Sequence, residues 1–145
     1  MTPEQWIELE RIIGSIESAN DYGAIRFEPK VYARIEGGSF EWEVARAKRA
    51  NKCSRATARM ICATSWGRFQ IMGFNLYGFI GLTDPIADYL HNVKVQSTAF
   101  ETFVKHNHIE FSPDELRDKI TREKFAKIYN GSLAYAVKIE TELSK

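Results

Sequence analysis

The chain has 145 residues, 44% of them hydrophobic and 27% charged, which is enough apolar material for one sizeable core and most simply one domain. Twenty Lys and Arg against 19 Asp and Glu leave a formal charge of +1, so a strongly basic nucleic-acid binder is excluded at the level of the whole chain, although charge is unevenly placed. No apolar run reaches bilayer length, and Met1-Thr2-Pro3-Glu4-Gln5 has neither the basic nor the apolar part of a secretory leader.

The first predicted element is a helix. Thr2 serves as N-cap, Pro3 takes the opening position and Gln5 completes a capping box. Trp6, Leu9, Ile12, Ile13 and Ile16 then form one apolar stripe, and the turn chemistry of Asn20-Asp21-Tyr22-Gly23 stops the helix near Ser18 to Asn20. Ala24-Ile25-Arg26-Phe27-Glu28 alternates as a short strand does, and Pro29 confines it to a sheet edge or ends it. Val31, Tyr32 and Ile35 suit a helical turn before Gly37-Gly38, with a hairpin strand as the alternative.

From about Glu41 to Cys62 the sequence is Ala-rich and helix-compatible, divided near Asn51 to Ser54. A short buried helix is predicted after Ser65, then a bend through Gly73, Gly78 and Gly81. Asp84-Pro85 opens a long helix whose apolar positions include Ile86, Tyr89, Leu90, Val93, Phe100, Phe103 and Val104, with Asp84 as its cap. Ser112-Pro113-Asp114-Glu115 is a second capping box, Phe125 to Tyr129 a further helical stretch, and Ser132 the cap of a last helix reaching about Leu143. No repeat or long linker divides the chain, so residues 1–145 are expected to form a single domain. The expected fold class is α+β, mainly α, with many helices and a small β element following the first helix.

Cys53 and Cys62 have no metal-type spacing with the three histidines, and no metal or other cofactor is expected. In one unbroken helix the two would lie about 13 Å apart, too far for a disulfide, so reduced thiols are the expectation unless that helix breaks. His91, His106 and His108 lack a nearby nucleophile motif and receive no role.

Three short motifs carry the chemistry: Ile16-Glu17-Ser18, then Thr64-Ser65-Trp66-Gly67-Arg68-Phe69-Gln70-Ile71-Met72-Gly73, then Tyr129-Asn130-Gly131. At 100° per residue Glu17 falls near Trp6 and Ile13, at the margin of the buried stripe. A carboxyl there is partly desolvated, its ionised form is disfavoured and its pKa rises, as a general acid for glycosidic oxygen requires. A solvated helix-end carboxylate is the alternative. Gly67 permits close approach of backbone to a sugar ring, and Gln70 offers donors and an acceptor to hydroxyl or N-acetyl groups. Trp66 presents a face on which a pyranose can stack, or belongs to the core. Tyr129 can donate to substrate or orient the acid, and Asn130 can bind glycan or cap a turn before Gly131.

In this ordered set the chain resembles the phage-type N-acetylmuramidase domains of endolysins, within the lysozyme-like superfamily that includes goose-type lysozymes and lytic transglycosylases. The resemblance runs from about Glu17 through Asn130 and is most specific in Ile25-Arg26-Phe27-Glu28 and Ser65 to Asn75, with Phe125-Ala126 and Tyr135 also matching. It implies a lysozyme-like fold and hydrolysis of the β-1,4 bond between N-acetylmuramic acid and N-acetylglucosamine in peptidoglycan. It maps the catalytic glutamate onto Glu17 and the Ser-Gly-Gln segment onto Ser65, Gly67 and Gln70. The implied partner is the peptidoglycan glycan strand, met by a monomer with no nucleic acid and no stable membrane insertion. The implied route is accumulation in the host cytoplasm, then access to the wall after a separate membrane lesion.

An inverting hydrolase needs a second carboxylate to activate water. Glu28 is the candidate, on the strand following the catalytic helix, with Asp21 and Glu36 as rivals and Thr64 or Ser65 as alternative holders of the water. Pairing with Arg26 or Arg34, or an N-cap role before Pro29, would instead make Glu28 structural. A single acid without a partner suits a lytic transglycosylase, in which the muramoyl C6 hydroxyl attacks to give a 1,6-anhydro product. A non-catalytic wall-binding module or a phage structural protein are the readings from other classes. Arg46, Lys48, Arg49, Lys52, Arg55 and Arg59 form a basic run without an acid from Val44 to Arg59, either a solvated helix face or an attractor for an anionic envelope surface.

Overall fold

Local chemistry sets both ends of the first helix. In a computed structural model covering residues 1–145, α1 spans Pro3–Ser18 and opens on the capping box, with Thr2 Oγ1 accepting from the Gln5 amide at 3.1 Å and Gln5 Oε1 from the Thr2 amide at 2.8 Å. It ends where Ala19 turns left-handed at φ 54°. β1 follows as Ile25–Phe27, and Pro29 then opens α2, Pro29–Glu36, at the position where a missing amide costs nothing. The 31–35 segment is therefore helix rather than hairpin.

The Ala-rich stretch forms α3, Glu41–Asn51, and α4, Arg55–Cys62. Lys52 reverses the chain at φ 49°, and Ser54 caps α4 by accepting from the Thr57 amide at 3.1 Å. Both cysteines are free thiols, and burial pushes the Cys62 thiol up to about 12.

Two expected elements take a different form. The segment after Ser65 is not a helix but a hairpin, β2 (Thr64–Trp66) and β3 (Ile71–Met72), followed by the single helical turn α5, Gly73–Leu76. Gly67 at φ 77° and Gln70 at φ 51° turn the chain, and the backbone of 64–66 pairs with β1 instead of with itself. The sheet is antiparallel in the order β1-β2-β3, with Arg26, Ser65 and Met72 in one cross-strand row and Ile25, Trp66 and Ile71 in the next.

The long helix expected from Asp84 is two helices, α6 (Ile86–Leu90) and α7 (Val93–His106). Asn92 starts the second by accepting from the Val95 amide at 3.1 Å, a local bond that competes with helix continuation. Asp84 is no cap; Asn51, from the end of α3, accepts from the Ile86 amide at 2.8 Å instead. Val93, expected in the core, lies at the new helix start and is 53% exposed.

A 3-10 turn at Glu115–Arg117 follows the Ser112/Glu115 capping box. Then come α8, Lys119–Tyr129, and α9, Ala134–Leu143, packed against each other, with α9 also packed against α1. Leu9, Ile12 and Ile13 of α1, Phe69 of the hairpin, Phe100 of α7, Phe125 of α8 and Ile139 of α9 belong to one contiguous core. The class is as the composition and periodicity indicated: mainly helical, with a small sheet after the first helix.

Candidate active site

Glu17 occupies the last turn of α1, partly buried. Its carboxyl is held above the ordinary value, chiefly because burial disfavours the ionised form; the nearby Tyr135 hydroxyl and the charges of Lys138 and Arg26 pull the other way and do not win. The groups that act on it, Tyr129 and Tyr135, Lys138 and Arg26, come from α8, α9 and β1. Trp6 lies three turns away along α1, about 16 Å by helical rise.

Tyr129 and Tyr135 form the inner wall beside this carboxyl. Their rings stack at 5.9 Å, and Tyr129 stacks in turn on Phe125 at 5.5 Å. The Tyr129 hydroxyl donates to the Phe69 carbonyl at 2.8 Å, tying α8 to the hairpin turn. Tyr135 is 3% exposed and its hydroxyl has no settled hydrogen-bond partner, yet it stands near enough to Glu17 for each to shift the other's titration. Burial pushes both tyrosines well above their ordinary range, so both hydroxyls keep their protons. Asn130, exposed, closes α8 as its C-cap.

Arg26 links the two proposed carboxylates. Its guanidinium lies 3.3 Å from Glu28 and its charge also acts on Glu17. Glu28 sits at the N-cap of α2 but makes no side-chain cap bond. Of its rivals, Asp21 accepts from the Gly23 amide at 2.8 Å as a turn residue, and Glu36 is exposed at the end of α2.

The hairpin residues are held from within. Ser65 donates to Met72 Sδ at 3.0 Å and Thr64 to the Met60 carbonyl at 2.6 Å, which commits both hydroxyl protons. Trp66 is 9% exposed and its indole N–H donates to the Ile61 carbonyl at 2.9 Å, the geometry of a core residue. Gln70 Nε2 donates to the Gly67 carbonyl at 3.0 Å and to Ala24 at 3.3 Å, bracing the turn against the start of β1. Gly67 is required by its φ of 77° and by Gln96, whose amide fills the space a Cβ would need.

Sequence reasoning missed that glutamine. Fully buried, Gln96 accepts from the Arg68 amide at 2.8 Å and donates to the Tyr22 carbonyl at 2.9 Å, so one side chain of α7 holds both the turn after α1 and the hairpin turn. A polar residue one turn before Phe100, on an otherwise apolar face, was the available signal. Arg68 was missed too. Its guanidinium donates to Asn20 Oδ1 and the Tyr22 hydroxyl at 2.8 and 2.9 Å and lies 3.5 Å from Glu10, while its carbonyl accepts from the Ser18 hydroxyl at 2.8 Å. Glu10, partly buried beside it, is pushed above its ordinary value because desolvation outweighs the Ser97 hydroxyl and the Arg68 charge. No three His, Cys, Asp or Glu side chains converge as a metal set.

The arrangement is a carboxyl held above its ordinary pKa against two protonated tyrosines, flanked by a cation and a second carboxylate. It can deliver a proton to an ether-type oxygen and stabilise charge next to it. Comparison with known proteins identifies the family. The sequence model of the N-acetylmuramidase family matches residues 11–145. An endolysin of Enterobacteria phage PRD1 is 43% identical over 129 residues, covering 86% of this chain and 87% of the relative. No solved structure matches.

Proposed function

Because the chain belongs to the N-acetylmuramidase family, and is thereby a peptidoglycan-cleaving enzyme, we propose that it cuts the β-1,4 bond between N-acetylmuramic acid and N-acetylglucosamine with Glu17 as proton donor. The observation that carries this reading is the Glu17 carboxyl, kept protonated above its ordinary range by burial beside Tyr129 and Tyr135. In the ground state the acid faces the glycosidic oxygen. As the bond to the anomeric carbon lengthens, the proton moves to the leaving oxygen and the ring takes on oxocarbenium character. Arg26 steadies the carboxylate that results, and Tyr135, protonated throughout, accepts no proton. Glu28 then acts on the incoming water. Ser65, Trp66, Gly67, Gln70, Tyr129 and Asn130 supply or shape the glycan-facing wall, with Trp66 and Gly67 acting through the hairpin's shape. The likeness to a phage endolysin supports action on the host cell wall.

One observation favours a second reading. Glu28 is already engaged by Arg26 at 3.3 Å, so the carboxylate oxygen Oε1 faces a guanidinium rather than a water. If Glu28 is a partner of Arg26 only, the muramoyl C6 hydroxyl attacks instead and the product is a 1,6-anhydro sugar. Digestion of purified peptidoglycan with mass analysis of the fragments separates the two: reducing ends indicate hydrolysis, anhydro ends transglycosylation. Either product supports Glu17 as the acid provided that Glu17→Gln lowers the rate by about 10²–10⁴-fold. An undiminished rate in that variant removes the assignment.

A further inference from the structure

The strongest feature outside the site is the outer surface of α3 and the start of α4. Arg46, Lys48, Arg49, Lys52, Arg55 and Arg59 lie here with no acid from Val44 to Arg59, so the rest of the chain, with 14 basic and 19 acidic residues, carries −5 against a total of +1. The charges are not spent internally. Only Arg55 has a carboxylate within 4.0 Å, that of Glu41 at 3.7 Å. Lys48, Arg49, Lys52 and Arg55 rim a cavity of about 490 Å³ with Val44 and Ala45 in its floor, and Arg46, Arg49 and Lys52 rim an adjoining one of about 300 Å³.

A solvated helix face would account for the cations but not for the aromatic among them. Trp42, 61% exposed, stands at i, i+4 and i+7 with Arg46 and Arg49, and the Arg46 guanidinium lies over its ring at 4.6 Å. Met60, on α4, is 51% exposed. Exposed tryptophan interleaved with Arg and Lys on one helix face is the composition that settles into the headgroup layer of an anionic bilayer, the ring at the acyl boundary and the cations at the phosphates. We propose that this face docks the protein on an anionic phospholipid membrane. Docking is peripheral, since no helix is long and apolar enough to cross a bilayer. A rigid polyanion such as duplex nucleic acid would use the same cations but leaves the Trp42 ring without a partner.

The test is co-sedimentation with vesicles of phosphatidylcholine alone and of phosphatidylcholine with about 30 mol % phosphatidylglycerol. Tryptophan emission is followed in the same samples. Trp6 and Trp66 are each 9% exposed, so an emission change reports Trp42. The wild type is expected to bind the anionic vesicles at least about tenfold more tightly than the zwitterionic ones, with a blue shift and a loss of binding at high salt. Arg46→Gln/Arg49→Gln/Lys52→Gln should lose that preference while still digesting soluble peptidoglycan fragments, and Trp42→Ala should bind weakly with no blue shift. Equal binding to both vesicles, undiminished binding by the triple variant, an unshifted emission on binding, or tighter binding to a duplex DNA oligonucleotide than to the anionic vesicles would each overturn the proposal.

Discussion

Glu17 titrates high because rings from α8 and α9 replace water beside it, while the Tyr135 hydroxyl, its strongest counterweight, pulls it down. Removing that hydroxyl in Tyr135→Phe should move the loss of activity on the alkaline side to higher pH, since the acid then holds its proton longer. A shift to lower pH would contradict the arrangement. The sign for folding follows from linkage. A carboxyl raised in the folded state contributes stability fully at pH below its unfolded value, and that contribution is lost as pH rises through the folded value. Glu17→Gln should therefore melt at a higher temperature than wild type near neutral pH, and the advantage should vanish in acid. At this scale the position of Glu17 at the margin of a buried stripe was legible from helical periodicity. Its true neighbours were not, because Tyr129 and Tyr135 reach it through tertiary packing.

Elements were legible where their ends carry local chemistry and illegible where a distant side chain decides. Thr2, Ser54 and the Ser112/Glu115 pair act within three residues, and the elements they start are where the sequence put them. The segment after Ser65 was read as a short helix because its apolar residues suit either period, and pairing with β1 and the close approach of Gln96 settle the matter. The split between α6 and α7 depends on Asn92, and the cap of α6 on Asn51 from α3. Gln96→Leu tests how far one side chain holds the hairpin turn. It orphans the Arg68 amide and the Tyr22 carbonyl, and should cost about 2–4 kcal/mol in urea denaturation. A change below about 0.5 kcal/mol, the range of surface substitutions, would show that the turn is held by other means.

For the whole molecule, the buried residues form one cluster that draws on α1, the hairpin, α7, α8 and α9 together, and the site lies where these elements meet. Glu17 comes from α1, Arg26 and Ser65 from the sheet, Tyr129 from α8 and Tyr135 from α9. The prediction is a single cooperative thermal transition followed alike by tryptophan emission and far-ultraviolet circular dichroism, with catalytic activity lost in the same step. Two separable transitions would mean that part of the chain folds on its own and that the site depends on only one part. Composition and apolar periodicity were enough for the fold class, since they report how much core there is and what period it has. They could not place α9 against α1, because no local pattern encodes which helices meet.

The proposed acid role requires Glu17 to reach the glycosidic oxygen still carrying its proton. Carboxyl-carbon NMR titration of the wild-type protein, with Glu17→Gln to assign the signal, tests it directly. The account predicts that the Glu17 signal titrates above the ordinary 4.5 and that activity on peptidoglycan falls as that signal ionises. A Glu17 signal titrating at or below 4.5, with activity unchanged across the transition, would contradict it.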